Sequence, residues 1–257
     1  MARKPREKSE TGIYHVIVRG INQQDIFHDE EDFKKYLRVI KKAGSETDAE
    51  ILGYCLMNNH VHLLLKENND NLSKYMKSLQ VSYVYWYNSK YERCGHLFQD
   101  RFKSEAVEND AYLLTVIRYI HNNPVKAGIV KKPEQYLWSS CANYYGAEMT
   151  SLKKIDTKLI LGIFSNQKET AIATFKEFMN EPQEDQCMEY DENRKLTETE
   201  VYQLTAELLK GRPVTTIQTL DPESRNQIIN QLRYDYGVSI RQISRVTGLP
   251  LHVVRKV

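Results

Sequence analysis

The residues best suited to chemistry are two histidines two positions apart, His60 and His62, and a tyrosine and an asparagine four apart, Tyr119 and Asn123. On a β-strand alternate side chains share a face, so His60 and His62 project together while Val61, Leu63 and Leu65 turn toward a core. Neighbouring imidazoles can chelate a divalent cation if another element supplies a third ligand and each ring's second nitrogen has its own partner. The same pattern also fits two histidines on a half-exposed strand face. A spacing of four puts Tyr119 and Asn123 on one side of a helix, so that a phenol and a carboxamide can face one site. Pro124 disfavours helical backbone at Asn123 and is expected to leave that side chain at the helix terminus. The competing reading is a packed aromatic followed by a turn-forming asparagine.

Such groups act together only if regular elements hold them. Residues 12–19, rich in β-branched and aromatic types and closed by Gly20, read as a strand. Asp29 to Asp32 precede Phe33, Tyr36, Leu37 and Ile40, an apolar stripe at helical spacing with acidic residues where the helix dipole favours them. Residues 50–57 and 60–66 read as a hairpin turning at Asn58-Asn59. A helix over 72–88 carries Leu72, Tyr75, Met76, Leu79, Tyr83 and Trp86, and an edge strand is expected over 97–106. Asn109-Asp110 opens a further helix over 111–122, which Pro124 should stop. The pattern is mixed α+β, and the hairpin excludes an all-parallel sheet.

Composition bounds the function classes. The chain has 257 residues, 41% hydrophobic and 27% charged, with 11 glycines and 7 prolines, which is the profile of a folded protein and not of a low-complexity one. No apolar run approaches the roughly 20 residues of a spanning helix. The basic N-terminus has no apolar segment after it, so a cytoplasmic location is expected. Cys55, Cys94, Cys141 and Cys187 form no C-x-x-C pair and read as reduced thiols, which argues against a zinc ribbon. A net charge of +2 does not by itself point to nucleic acid.

Several runs together resemble a known family. Gly53-Tyr-Cys-Leu-Met-Asn-Asn-His-Val-His-Leu-Leu-Leu65, then Gly95-His-Leu-Phe-Gln-Asp-Arg-Phe-Lys103, then Tyr119-Ile-His-Asn-Asn-Pro-Val-Lys-Ala-Gly128 are similar to the REP-associated branch of the single-tyrosine HUH transposases. Tyr14-His-Val-Ile-Val-Arg-Gly20 fits as well. The resemblance spans about residues 10 to 146 and not 150 to 257; one departure is Asn58, where many relatives have proline in the turn. It implies a ferredoxin-like, antiparallel-centred sheet with helices on one face and the histidine pair on a central strand. It also implies His60 and His62 as ligands of Mg2+ or Mn2+, Asn123 completing that site, and Tyr119 as the nucleophile. The implied reaction nicks and rejoins single-stranded or hairpin DNA, from repetitive palindromic elements, through a covalent 5′-phosphotyrosine. Relatives include monomers and dimers, so the oligomeric state stays open.

Arg19, Arg101 and Lys103 fall on strands near this site and are candidate phosphate contacts, as are Arg3, Lys4, Arg6 and Lys8 of the N-terminal arm. The cluster Tyr83, Tyr85, Trp86, Tyr87 and Tyr91 fits core packing better than base stacking because it lies on a helix. Near the C-terminus, Arg233, Arg241, Arg245, Arg255 and Lys256 face only Asp235 in local charge. There Ser239 can cap a helix through Arg245, Gly248 can turn the chain, and Pro250 suits the start of a second helix to Val257. This is the spacing of a helix-turn-helix, with Arg241, Arg245, His252, Arg255 and Lys256 toward DNA. The expected organisation is a catalytic domain over 1–148, a helical connector and acidic linker over 149–195, and an all-α C-terminal region over 196–257. A competing reading keeps the fold and binds DNA as a regulator without cutting it.

Overall fold

The computed structural model describes residues 6–68, 71–146, 155–182, 185–188 and 196–257. Arg3 and Lys4 of the basic arm and the acidic run after Met188 lie outside the described residues. The chain divides into two compact units, Met1–Tyr190 and Asp191–Val257.

In the first unit the elements run β1 (Ile13–Arg19), α1 (Glu30–Thr47), β2 (Glu50–Met57), β3 (His60–Lys66), α2 (Leu72–Lys90), β4 (Lys103–Ala106) and α3 (Asp110–Lys126). The short α4 (Cys141–Tyr144) and then α5 (Lys158–Phe164) and α6 (Lys168–Asn180) follow. All strand pairs are antiparallel in the order β2-β3-β1-β4. Both hairpin strands form where the alternation placed them, with Asn58-Asn59 at the turn.

The strands are apolar on both faces, and both faces are therefore covered. Tyr14, Val16, Val18, Tyr54, Leu56, Val61, Leu63 and Leu65 meet Tyr36, Leu37 and Ile40 of α1 and Tyr75, Met76 and Leu79 of α2 in one core. Ile13, Cys55, Met57 and Leu64 meet Val116, Ile117 and Ile120 of α3 and Ile160 and Phe175 of α5 and α6 in another. The expectation of helices on one face is thus corrected. Because β1 to β3 have almost no polar face, a one-sided sheet would leave a whole row of aliphatic groups in water. Helices α5 and α6, expected in a connector, are part of this second core.

Local chemistry explains the helix ends. Asp29 caps α1 through the Asp32 amide, and the Asp32 carboxylate returns a bond to the Asp29 amide. Lys90 at the end of α2 reaches Asp29, Glu31 and the buried Asp32, and Tyr91 donates to Asp32, which ties α2 to the start of α1. Of the tyrosine cluster, Tyr83 and Tyr87 are core residues, whereas Tyr85 is 81% exposed.

Two expected boundaries move. Pro124 does not stop α3, which continues to Lys126. In the last turn a proline forfeits a single backbone bond, and Ala127 N donating to Asn123 O and Ile129 N to Pro124 O hold the end in place. The edge strand is limited to residues 103–106, preceded by an isolated bridge between Gly20 and Phe98. The consecutive Leu97 and Phe98 both enter the first core, which the strict alternation of a strand cannot accommodate.

The second unit packs α7 (Glu198–Leu208), α8 (Pro222–Asn230), α9 (Ile240–Thr247) and α10 (Leu251–Arg255) around Val201, Ile217, Ile229, Leu232, Ile243 and Val254. Ser239 caps α9 through the Gln242 amide, and Gly248 ends it at φ 71°. Pro250 is the residue before α10, which ends at Arg255 rather than Val257. Among the described residues no helix is long and apolar enough to cross a membrane.

Two stability predictions follow from the α3 face of the sheet. A Cβ on Gly53 would meet Ile117 Cδ1, so a larger residue at this point of β2 must push the Ile117 side chain of α3 aside. Gly53→Val is expected to lower stability by ~1–3 kcal/mol through overpacking, read as a fall in the urea midpoint; an unchanged midpoint contradicts this contact. On α3 itself, buried His121 bonds Ser140 Oγ at 2.7 Å, and burial pushes its pKa down to about 3. The unfolded chain, with an ordinary histidine value near 6.5, takes up this proton first as pH falls. Its contribution is therefore present above pH 6.5 and is lost on descent toward pH 3. His121→Gln is expected to flatten the fall of unfolding free energy between pH 6 and 4 by about 1.4 kcal/mol per pH unit, and an unaltered slope in urea titrations refutes the assignment.

Candidate active site

Register fixes which polar groups share the α3 face of the sheet. Arg19 lies opposite His60, Ile17 opposite His62 and His15 opposite Leu64 across β1 and β3. On the outer side of β1, Lys103 lies opposite Ile17 and Glu105 opposite His15. Since side chains alternate along each strand, His15, Arg19, His60, His62, Lys103 and Glu105 occupy one face.

Helix α3 covers this face and brings Tyr119 to it. The Tyr119 ring stands edge-on to His62 at 5.6 Å and to His15 at 5.9 Å between centroids, and the His60 and His62 rings are 5.0 Å apart. Tyr119 is only 4% exposed, and Lys126 Nζ lies 4.8 Å from its ring centre. Asn123, one turn further along, donates to Tyr119 O at 3.0 Å, and its amide is near enough to His60 to oppose the fall in that ring's pKa. The phenol, the carboxamide and both imidazoles thus converge.

Each imidazole of the pair has one nitrogen engaged. His60 Nδ1 is 2.7 Å from Asn59 Oδ1, and His62 Nδ1 is 3.0 Å from His15 Nε2. These are the outer partners that a chelating pair requires, and they leave Nε2 of each ring as the nitrogen available to a cation. Burial, reinforced by the Arg19 charge, pushes the His60 pKa down to about 4, the nearby Asn123 amide opposing it. Burial and the adjoining His60 and His15 also hold His62 well below its ordinary value. Both rings are therefore neutral near pH 7, the form in which imidazole binds metals. Among the described residues no group of three His, Cys, Asp or Glu surrounds a common point.

The other residues singled out in the sequence separate into three places. Arg19 and Lys103 sit on the histidine face. Arg101 precedes β4 in the loop and lines an open cleft of about 440 Å³ with Arg6, Phe102 and Lys103. Arg241, Arg245, His252, Arg255 and Lys256 belong to the second unit and are exposed, Arg245 pairing with Glu198 at 3.0 Å. Residue-by-residue reading missed His15, Asn59, Glu105 and Lys126. A histidine embedded in Ile-Tyr-His-Val-Ile-Val is an anomaly that alternation could have flagged; Glu105 becomes visible only through strand register.

Residues 8–123 match the family model described as transposase, IS200 like. A Haemophilus influenzae protein named "Putative REP-associated tyrosine transposase" is 28% identical over 103 residues, which cover 35% of this chain and 58% of that protein. The chain therefore spans somewhat over half the length of that curated relative. The solved structure of a REP-associated tyrosine transposase bound to a REP hairpin superposes with a TM-score of 0.50 at 19% identity, over 61% of this chain and 93% of the other. At that identity the likeness bears on the fold. The segment that is similar to the IS200-like transposase model, residues 8–123, contains His60, His62, Tyr119 and Asn123.

Proposed function

We propose that this protein is a DNA strand transferase that nicks and rejoins single-stranded or hairpin DNA, with Tyr119 as nucleophile. The observation that carries this reading is the meeting of Tyr119 with the His60 and His62 pair on a sheet face that also bears Arg19 and Lys103. The element order β1-α1-β2-β3-α2-β4 in the strand order β2-β3-β1-β4 supports the ferredoxin-like reading of this unit.

His60, His62 and Asn123 would hold a divalent cation, Mg2+ or Mn2+, and when bound it supplies Lewis acidity toward a phosphate oxygen. The remaining work falls to the chain. Arg19, opposite His60, and Lys103, opposite Ile17 on the same face, hold the charged backbone of the strand against the sheet. Tyr119 Oη attacks the scissile phosphorus and gives up its phenol proton; its bond to phosphorus forms as the bond to the 3′ oxygen breaks, and the departing oxygen takes up one proton to become a 3′-hydroxyl, so no net proton is consumed. Lys126, above the phenol ring, stabilises negative charge developing on the attacking oxygen. The 5′-phosphotyrosine retains the bond energy, so reversal with a different 3′-hydroxyl joins strands without ATP.

The 196–257 region is proposed as a second DNA contact. Gly248 turns the chain between α9 and α10, Ser244 Oγ bonds Leu249 O at 2.7 Å, and Ile243 and Val254 share a core, which supports a helix-turn-helix reading. Arg241, His252, Arg255 and Lys256 are its exposed polar side.

One observation favours the second reading, binding without cleavage: Tyr119 is nearly enclosed in the DNA-free chain. One experiment separates the two. End-labelled hairpin DNA incubated with Mn2+ is expected to give a protein-DNA adduct that survives denaturant, and Tyr119→Phe is expected to abolish it while retaining hairpin binding in a gel shift. Equal adduct yield from Tyr119→Phe removes the nucleophile; binding with no adduct across many hairpins leaves the regulator.

A further inference from the structure

His15 is buried at 0% exposure, aligned with His62, and has no part in the mechanism above. The two rings stack at 5.3 Å with an interplanar angle of 19°, and they share the 3.0 Å contact between His15 Nε2 and His62 Nδ1. A nitrogen-to-nitrogen contact of this length requires one donor and one acceptor. Burial of both rings away from water disfavours an imidazolium on either, so each carries a single N–H. Two tautomer arrangements satisfy the contact, and they have opposite consequences. If His62 Nδ1 donates, His62 Nε2 presents a lone pair toward His60 and Asn123; if His15 donates, Nε2 of His62 carries the hydrogen and its ligating position is blocked.

The choice is made at the far nitrogen of His15. His15 Nδ1 is buried with no hydrogen-bond partner among the described residues, and it faces Glu105 Oε2 at 3.9 Å. That oxygen accepts from Tyr112 Oη at 2.6 Å and from the Met188 amide at 3.2 Å, as an ionised carboxylate does. At 3.9 Å the interaction is charge with dipole and not a formed hydrogen bond, but its sign is unambiguous. An N–H aimed at the carboxylate is attracted, and a lone pair is repelled. With the hydrogen on Nδ1, Nε2 of His15 must accept, and His62 must donate from its own Nδ1.

We propose that His15, polarised by Glu105, is a positioning residue that fixes the tautomer of His62 so that Nε2 of His62 is its open lone pair. The inference deepens the metal-site reading and rests on it for its purpose, but the tautomer itself is a property of the metal-free chain. The chain of polarity runs from the β4 edge across β1 to β3, along the Glu105, His15 and Leu64 row and diagonally to His62.

Long-range proton-nitrogen correlation spectra of the nitrogen-15-labelled, metal-free full chain at neutral pH read the tautomers directly. The expected result is protonated Nδ1 and bare Nε2 on both His15 and His62; a protonated Nε2 on His62 overturns the proposal. In Mn2+ titrations followed by electron paramagnetic resonance, His15→Phe is expected to weaken binding about 10–100-fold, the range typical of lost outer-shell partners. His15→Gln, whose amide oxygen can accept from His62, is expected to recover most of that loss. Wild-type affinity in His15→Phe overturns the proposal even if the variant folds normally. If the wild-type chain binds no Mn2+, the metal reading of the site fails, and the tautomer spectra still decide this inference on their own.

Discussion

The antiparallel register of β1 between β3 and β4 is the constraint from which the rest of this site descends. Side chains on a strand repeat every two residues, so a slip of one position would send His60, His62, His15 and Glu105 into the core under α1 and α2 and bring Val61 and Leu63 to the α3 face. The slip is prevented by burial on both sides. Val16, Val18, Leu63 and Leu65 fill one core and Leu64 the other, and no shifted pairing fills both with aliphatic groups. The polar groups are therefore placed by the packing requirements of their apolar neighbours.

A second constraint acts perpendicular to the sheet. Helix α3 must lie close enough for a phenol to reach imidazoles rooted on β3, and the bare backbone at Gly53 permits this where Ile117 presses against β2. The proline at the end of α3 fits the same geometry. Because the helix survives through Lys126, Asn123 and Lys126 are ordered around Tyr119 and not released into a loop. A helix ending at 122 would have left both of these groups without a fixed direction.

Electrostatics in this pocket is set mainly by exclusion of water. Histidines 15, 60, 62 and 121 are all held below the ordinary imidazole value, with burial as the leading cause for each. With the rings neutral, the formal charges of this face are those of Arg19, Lys103 and Glu105. Tyr119 shares this enclosure.

The order of the elements from β1 to α3 was legible in the residues alone, because β-branched and aromatic runs bounded by turn residues in β1 to β3 and an apolar stripe of helical period in α1 and α2 are local signals that survive folding. The sequence by itself also determined that His60 and His62 share a face, since that follows from strand geometry alone. It did not determine where α3 lies. Continuous apolar runs in the strands could be read as one-sided or two-sided, and only the packed structure shows both faces covered. The contribution of His15 and Glu105 was likewise beyond reach, because a residue 47 positions away comes within 3.0 Å of His62 only through strand pairing. Local periodicity is written in neighbouring residues; which distant groups meet is decided by register and by how closely helix and sheet can approach.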